Sequence, residues 1–326
     1  MDKRGQKMKV SIPYKMLLAA VYVTLFVALT PAQKHSKHSG PNSEAVLWRP
    51  VNVARQDLFL GPGGAAMEPD LSSITFLEER KGGYSKKYVI RDGAGNKWVA
   101  KIGNEAQSET AAVRLLSGIG YLTEVNYLVP TLTIPGKGTF SNVRLEARPD
   151  DVKRGKEWKW GHTPFENTPQ MKGLMLMMAF LNNWDMKSAN NVIIKNGGRR
   201  EYVISDLGVS FGKTGSNPLP LFWRIGRSRN NPGDYAHSTF IKSAKNGRVK
   251  VVFNGKNRSR MRNFTTADAR WLADQLTQLD DRQIRDAFRA ANYSDRDTET
   301  LTHAVENRIR QLDEAGSNPS RLARKR

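Results

Sequence analysis

Residues 182–195 read NNWDMKSANNVIIK. They follow MKGLMLMMAFL, residues 171–181, where Lys172 is the one charged side chain. A run apolar on all sides predicts a buried helix over 171–183, with its methionines as core filler. Asp185 and Asn190 then stand five residues apart, just ahead of an apolar triplet at 192–194. Asn196-Gly197 is a strong hairpin signal, so short strands are expected at 192–194 and 202–204. The second strand runs into Asp206-Leu207-Gly208. Two acids and an amide therefore gather around one small hairpin at the end of a buried helix.

Working upstream, alternation predicts strands at 74–77, 87–91 and 97–102, with the turn Asp92-Gly93-Ala94-Gly95-Asn96 before the third. EAQSETAAVRLLSG (105–118) has helical composition, with Ala112, Leu115 and Leu116 on one face and Gly118 as a stop. A further strand is expected at 127–134, closed by the turn PGKG. Lys101 ends the strand in WVAKIG, and Glu105 and Glu109 lie in the helix that follows. Downstream, helical periodicity covers 265–290 and 295–313, with Thr265 or Thr266 and Ser294 as caps. No internal repeat is present. A strand-rich first half thus precedes a helical second half.

Phosphoryl transfer from a nucleotide calls for these residue types. A strand lysine holds the phosphates, and a helix carboxylate orients that lysine. A carboxylate and an amide oxygen hold a divalent cation, and another carboxylate takes the acceptor's proton. The order Lys, Glu, Asp-x4-Asn, hairpin, Asp-x-Gly resembles the protein-kinase superfamily. The stretch RKGGYSKKYVIRDGAGNKWVAK (80–101) is similar to its atypical branch: type II phosphatidylinositol 4-kinases, HipA-type serine kinases and secretory-pathway kinases. The resemblance spans residues 72–212. Asn183-Trp184 stands where His-Arg is usual, Leu207 replaces Phe, and no Ala-Pro-Glu follows.

The resemblance implies an α+β, two-lobed protein-kinase-like fold. Residues 48–147 form a small antiparallel-sheet N-lobe and 148–315 a mainly helical C-lobe. It implies Asp185 as catalytic base and Lys101 as phosphate anchor, paired with Glu109 or the competing Glu105. Asn190 and Asp206 become ligands of Mg2+ or Mn2+. Gly82, Gly83 and Ser85 become a loop that covers the phosphates of ATP or another nucleotide through backbone N–H groups. The acceptor is a hydroxyl on a protein, lipid head group or small molecule. Without Arg before Asp185, activity is not expected to await phosphorylation of an activation loop. The alternatives are a pseudokinase that binds nucleotide without turnover, and a basic envelope-associated binding protein.

Bulk composition bounds these expectations. Of 326 residues, 52 are Lys or Arg and 31 Asp or Glu, a net charge of +21 that favours anionic partners. Cysteine is absent, which excludes disulfides, thiolate zinc sites and a cysteine nucleophile. Residues 235–267 hold eight cations and no acid. They are expected to form a solvated strand-and-loop surface, or to hold an acidic protein or phospholipid head group. Nucleic acid is disfavoured, because neither a basic helix nor interleaved aromatics occur there. Residues 1–33 carry basic residues and then MLLAAVYVTLFVALTPA (16–32), the order of a signal peptide or membrane anchor, so an exported protein is expected: periplasmic, secreted, or anchored at the outer face. Residues 34–47 read as a linker and 316–326 as a disordered basic tail. His162, His237 and His303 lack spaced partners. Trp158 and Trp160 in EWKWG read as packing, with a substrate rim as the alternative, and Ser205 reads as a strand hydroxyl.

Overall fold

The computed structural model describes residues 44–82, 85–216 and 225–317. The expected signal segment, Gly83 and the tail from 318 lie outside the described residues. Among those described, no helix is long and apolar enough to cross a membrane.

The chain enters on β1 (Ala45–Val46), inside the stretch expected as linker, and pairs in parallel with a strand near residue 200. Leu47, Val53 and Leu58 then pack into the core of the helical half, and Gln283 donates to the carbonyls of Val53 and Gln56. That core also holds Ala111, Leu115 and Leu116, so these first residues pack where the two halves meet.

The N-lobe proper is built on β2 (Thr75–Arg80), β3 (Lys86–Arg91) and β4 (Lys97–Ile102), then α1 (Glu105–Gly118), β5 (Asn126–Ile134) and β6 (Gly138–Ala147). The strands form one antiparallel sheet in the order β2-β3-β4-β6-β5. The β3–β4 turn is held by Asp92, whose carboxylate accepts from the Asn96 N–H and the Trp98 indole. Side chains alternate across the sheet. Tyr88, Ile90, Trp98 and Ala100 fill the core on one face. Val99 and Lys101 therefore point to the other face, where α1 lies. β6 was not expected. Its letters GTFSNVRLEA break the apolar alternation because Arg144 and Glu146 occupy buried positions.

The helical lobe follows. β7 (Lys153–Arg154) precedes α2 (Pro169–Phe180), which is capped by the Thr168 hydroxyl. α2 ends at Phe180, and Asn182 adopts a left-handed conformation (φ 55°) that closes it. β8 (Asn191–Asn196) and β9 (Arg199–Ile204) are the expected hairpin, and β10 (Thr214–Ser216) and β11 (Ile225–Arg227) pair further on. α3 (Pro232–His237) leads to β12 (Ile241–Lys245), β13 (Arg248–Val251) and β14 (Phe264–Thr265). α4 (Thr266–Leu276), α5 (Asp281–Arg289) and α6 (Asp295–Ser317) complete it. The expected single helix over 265–290 is two. Asp280 caps α5 with Gln283 in a capping box and breaks the run. Trp158 and Trp160 are buried, so they pack and line no rim.

α6 braces the centre of the lobe. Buried Arg308 donates to the Phe180 carbonyl at 2.5 Å and to Asn182 and Ser238. A cation at the C-terminal carbonyls of α2 meets the negative end of the helix dipole. The segment that carries Asp185 starts from this fixed point.

Candidate functional site

Lys101 is the centre of the site. Its side chain is 3% exposed, and its amine lies 2.9 Å from Glu109, 3.0 Å from Glu105 and 3.2 Å from Asp206 Oδ1. Glu105 and Glu109 share a face of α1 one turn apart, so both reach the same strand lysine. Burial works against charge on Lys101, but Glu109, Asp206 and Glu105 outweigh it and hold its pKa above the ordinary lysine value. Burial pushes the Glu109 carboxyl up to about 7, against the pull of Arg144 and Lys101. Glu105 goes the other way. Its burial is offset by Lys101 and by the hydrogen bond from Arg229, and its pKa falls below the ordinary value.

Arg144 lies directly opposite Lys101 in the β4–β6 register. Two like charges so placed repel each other. Glu109 relieves this, with one oxygen on Lys101 and the other 3.1 Å from Arg144. Arg144 also pairs with Glu146, which Arg148 contacts as well. Neither Arg144 nor Arg229 was anticipated from sequence.

Asp206 is tied to α1 from below. Ser108 Oγ donates to the Gly208 carbonyl at 2.6 Å, and the Gly208 N–H donates to Asp206. The Asp-Leu-Gly glycine has a steric reason: a Cβ there would sit 2.6 Å from Glu105 Cβ. Replacing Gly208 with Ala is expected to displace Glu105 and to cost about 1–3 kcal/mol, read as a lower urea midpoint with unchanged m-value. An unchanged midpoint would mean that α1 yields freely at this point.

Asp185 and Asn190 sit in the turn between α2 and β8. The Asn190 amide N–H donates to the Asp185 carbonyl at 2.7 Å, and the Asn190 carbonyl accepts from the Ser205 and Asp206 N–H groups at 2.9 and 3.3 Å. Asn190 thereby joins the Asp185 turn to the Asp206 segment. Lys187, two residues after Asp185, places its amine 2.5 Å from the Asp185 carboxylate. It too was overlooked, although the Asp-x-Lys spacing was there to be read. Trp184 fastens the turn outward: its indole donates to the Ser228 carbonyl, and the Arg227 guanidinium stacks on it at 4.0 Å.

The fit to a divalent cation rests on Asn190 and Asp206. Among the described residues no group of three or more His, Cys, Asp or Glu could hold a metal unaided. One carboxylate and one amide oxygen suit magnesium, which keeps several waters and takes further ligands from phosphates. Gly82 lies in the β2–β3 turn at φ +105° with open space beside it. The Ser85 hydroxyl is buried and donates to Glu105 at 3.1 Å, so it braces the lysine cluster. Ser205 donates to Glu124, in line with a structural hydroxyl.

No protein-family model matches the chain, and a search of curated proteins finds no match. Among solved structures, the crystal structure of a Helicobacter pylori proinflammatory kinase, CtkA, is similar over 78% of this chain and 99% of that one, at 11% identity and a TM-score of 0.46. The protein has a two-lobed α+β fold: an antiparallel sheet with one helix, and a mainly helical lobe.

Proposed function

We propose that this protein is a kinase-like phosphotransferase that binds a nucleotide with Mg2+ or Mn2+ and phosphorylates a hydroxyl. The carrying observation is the convergence of three distant segments: Lys101 on Glu109 and Asp206, with Asp206 bonded to Asn190 of the Asp185 turn. Metal-bound ATP would supply the phosphoryl group and neutralise its charge. Lys101 holds the phosphates, prepositioned by Glu105 and Glu109. Gly82 lets the backbone of the β2–β3 turn approach them closely. Asn190 and Asp206 hold the cation. Asp185 takes the acceptor's hydroxyl proton as its oxygen bonds to phosphorus and the bond to the departing diphosphate breaks. Lys187 keeps a positive charge beside that point, where negative charge gathers during transfer.

Asp185→Asn tests the chemistry apart from binding. Its thermal shift with ATP and Mg2+ should match wild type, while phosphate transfer to added protein or lipid acceptors falls about 10²–10⁴-fold. Equal transfer by both proteins would remove Asp185 from the role. A wild-type protein that gives the ATP shift but transfers nothing would be a pseudokinase.

A further inference from the structure

The hairpin of β12 and β13 turns at Asn246-Gly247, both in left-handed conformations, and β14 adds a third strand. This small sheet walls a cavity of about 580 Å³ whose lining, among the described residues, includes Lys242, Arg248, Lys250, Arg258 and Arg262 and no acid. Among the described residues Arg248, Lys250, Arg258 and Arg262 enter no ion pair, whereas neighbouring Arg260 meets Glu166 at 3.7 Å. Cations gathered in one concavity repel each other and concentrate anions there.

The cavity adjoins the proposed acceptor side. Past β13 the chain folds back onto the Asp185 turn. The Lys256 N–H donates to the Trp184 carbonyl at 2.8 Å, and the Asn257 amide donates to the Met186 carbonyl at 2.5 Å. Trp184 and Met186 flank Asp185. Gly255 permits this contact, since a Cβ there would stand 2.5 Å from the Trp184 carbonyl oxygen.

We infer that this cavity docks an acidic peptide segment of the acceptor and so delivers a nearby hydroxyl to Asp185. The inference rests on the phosphotransferase reading of the Lys101 site. A peptide fits better than a membrane or nucleic acid. Arg248 and Lys250 lie two residues apart on one strand face, about 7 Å, the repeat of alternate side chains in an extended peptide. Among the described residues the exposed large apolar side chains are Phe59, Leu71, Leu77 and Val152, and none of them lines the cavity. Phe253 and Phe264, the aromatics of the described lining, are buried and offer no face for stacking bases.

The test uses the full chain and a fluorescent peptide of alternating Glu and Ser. Anisotropy should report binding that weakens steadily with salt, and Arg258→Glu/Arg262→Glu should weaken it about tenfold. If that pair of changes prevents folding, the neutral pair Arg258→Gln/Arg262→Gln should still weaken it about threefold. Asp206→Ala should keep the peptide affinity while losing the ATP thermal shift. Unaltered affinity in the charge variants would overturn the inference. So would binding to phosphatidylserine vesicles without binding to the peptide. Peptide binding with no ATP shift in the wild type would sink the phosphotransferase reading and leave the docking site standing.

Discussion

Asp206→Ala is expected to abolish the Mg2+-dependent ATP thermal shift and to lower phosphate transfer about 1000-fold, while the protein stays folded. The separation follows from geometry. The Asp206 side chain is 44% exposed, and Lys101 keeps two buried carboxylates when Asp206 is gone. The stability change should therefore stay within about 1 kcal/mol. A pH signature accompanies it. Burial raises the Asp206 pKa, but Lys101, Arg144 and the Gly208 N–H outweigh this and hold it below 3.8. A depressed carboxylate adds stability above its unfolded value and loses it as pH falls through the folded one. The variant should thus show a shallower loss of stability on acidification. An ATP shift of wild-type size with Mg2+ in Asp206→Ala would remove the cation from this residue.

The difference between what was legible in the sequence and what was not has a physical cause. Lys101, Asp185, Asn190 and Asp206 could be singled out because each lies in or beside a regular element with a clear pattern. The order of these elements then implied one cleft. The choice between Glu105 and Glu109 could not be made from spacing, and the fold uses both, one helical turn apart. Arg144 was hidden because its partner is set by strand register: it stands opposite Lys101, 43 positions away in sequence, in a strand whose buried charges disguise it. Arg229 reaches Glu105 across 124 residues, a contact that no local pattern encodes. The break between α4 and α5 was readable in Asp280 and Gln283 but was masked by continuous periodicity. The eight cations of 235–267 showed charge, and only the return of the chain past β13, at Lys256 and Asn257, onto Trp184 and Met186 puts that charge beside the Asp185 turn.

Lys101→Met should both destabilise the protein and remove nucleotide binding, and a second substitution should pull the two effects apart. Methionine fills the space of the lysine stem but leaves Glu109, 1% exposed, with Arg144 as its remaining close cation. Removing one partner of a buried ionic cluster costs about 3–5 kcal/mol, because the remaining charge is uncompensated. The sign with pH identifies the culprit. Burial already raises Glu109 to about 7, from an unfolded value of 4.5, so its folded form takes up a proton more readily than the unfolded chain. That contribution to stability is present at low pH and fades as pH rises through the folded pKa. Without Lys101 the carboxyl rises further, so Lys101→Met should be clearly more stable at about pH 6 than at about pH 8. Adding Glu109→Gln removes the lone charge. The double variant should regain most of the lost stability and lose the pH slope, yet still show no ATP shift, because the phosphate anchor is absent. Urea unfolding at the two pH values, run beside thermal shifts with ATP and Mg2+, reads all of this. Nucleotide binding by the rescued double variant would make Lys101 a structural ion-pair partner only, and phosphate anchoring would have to be sought in other cations near the site, such as Lys187.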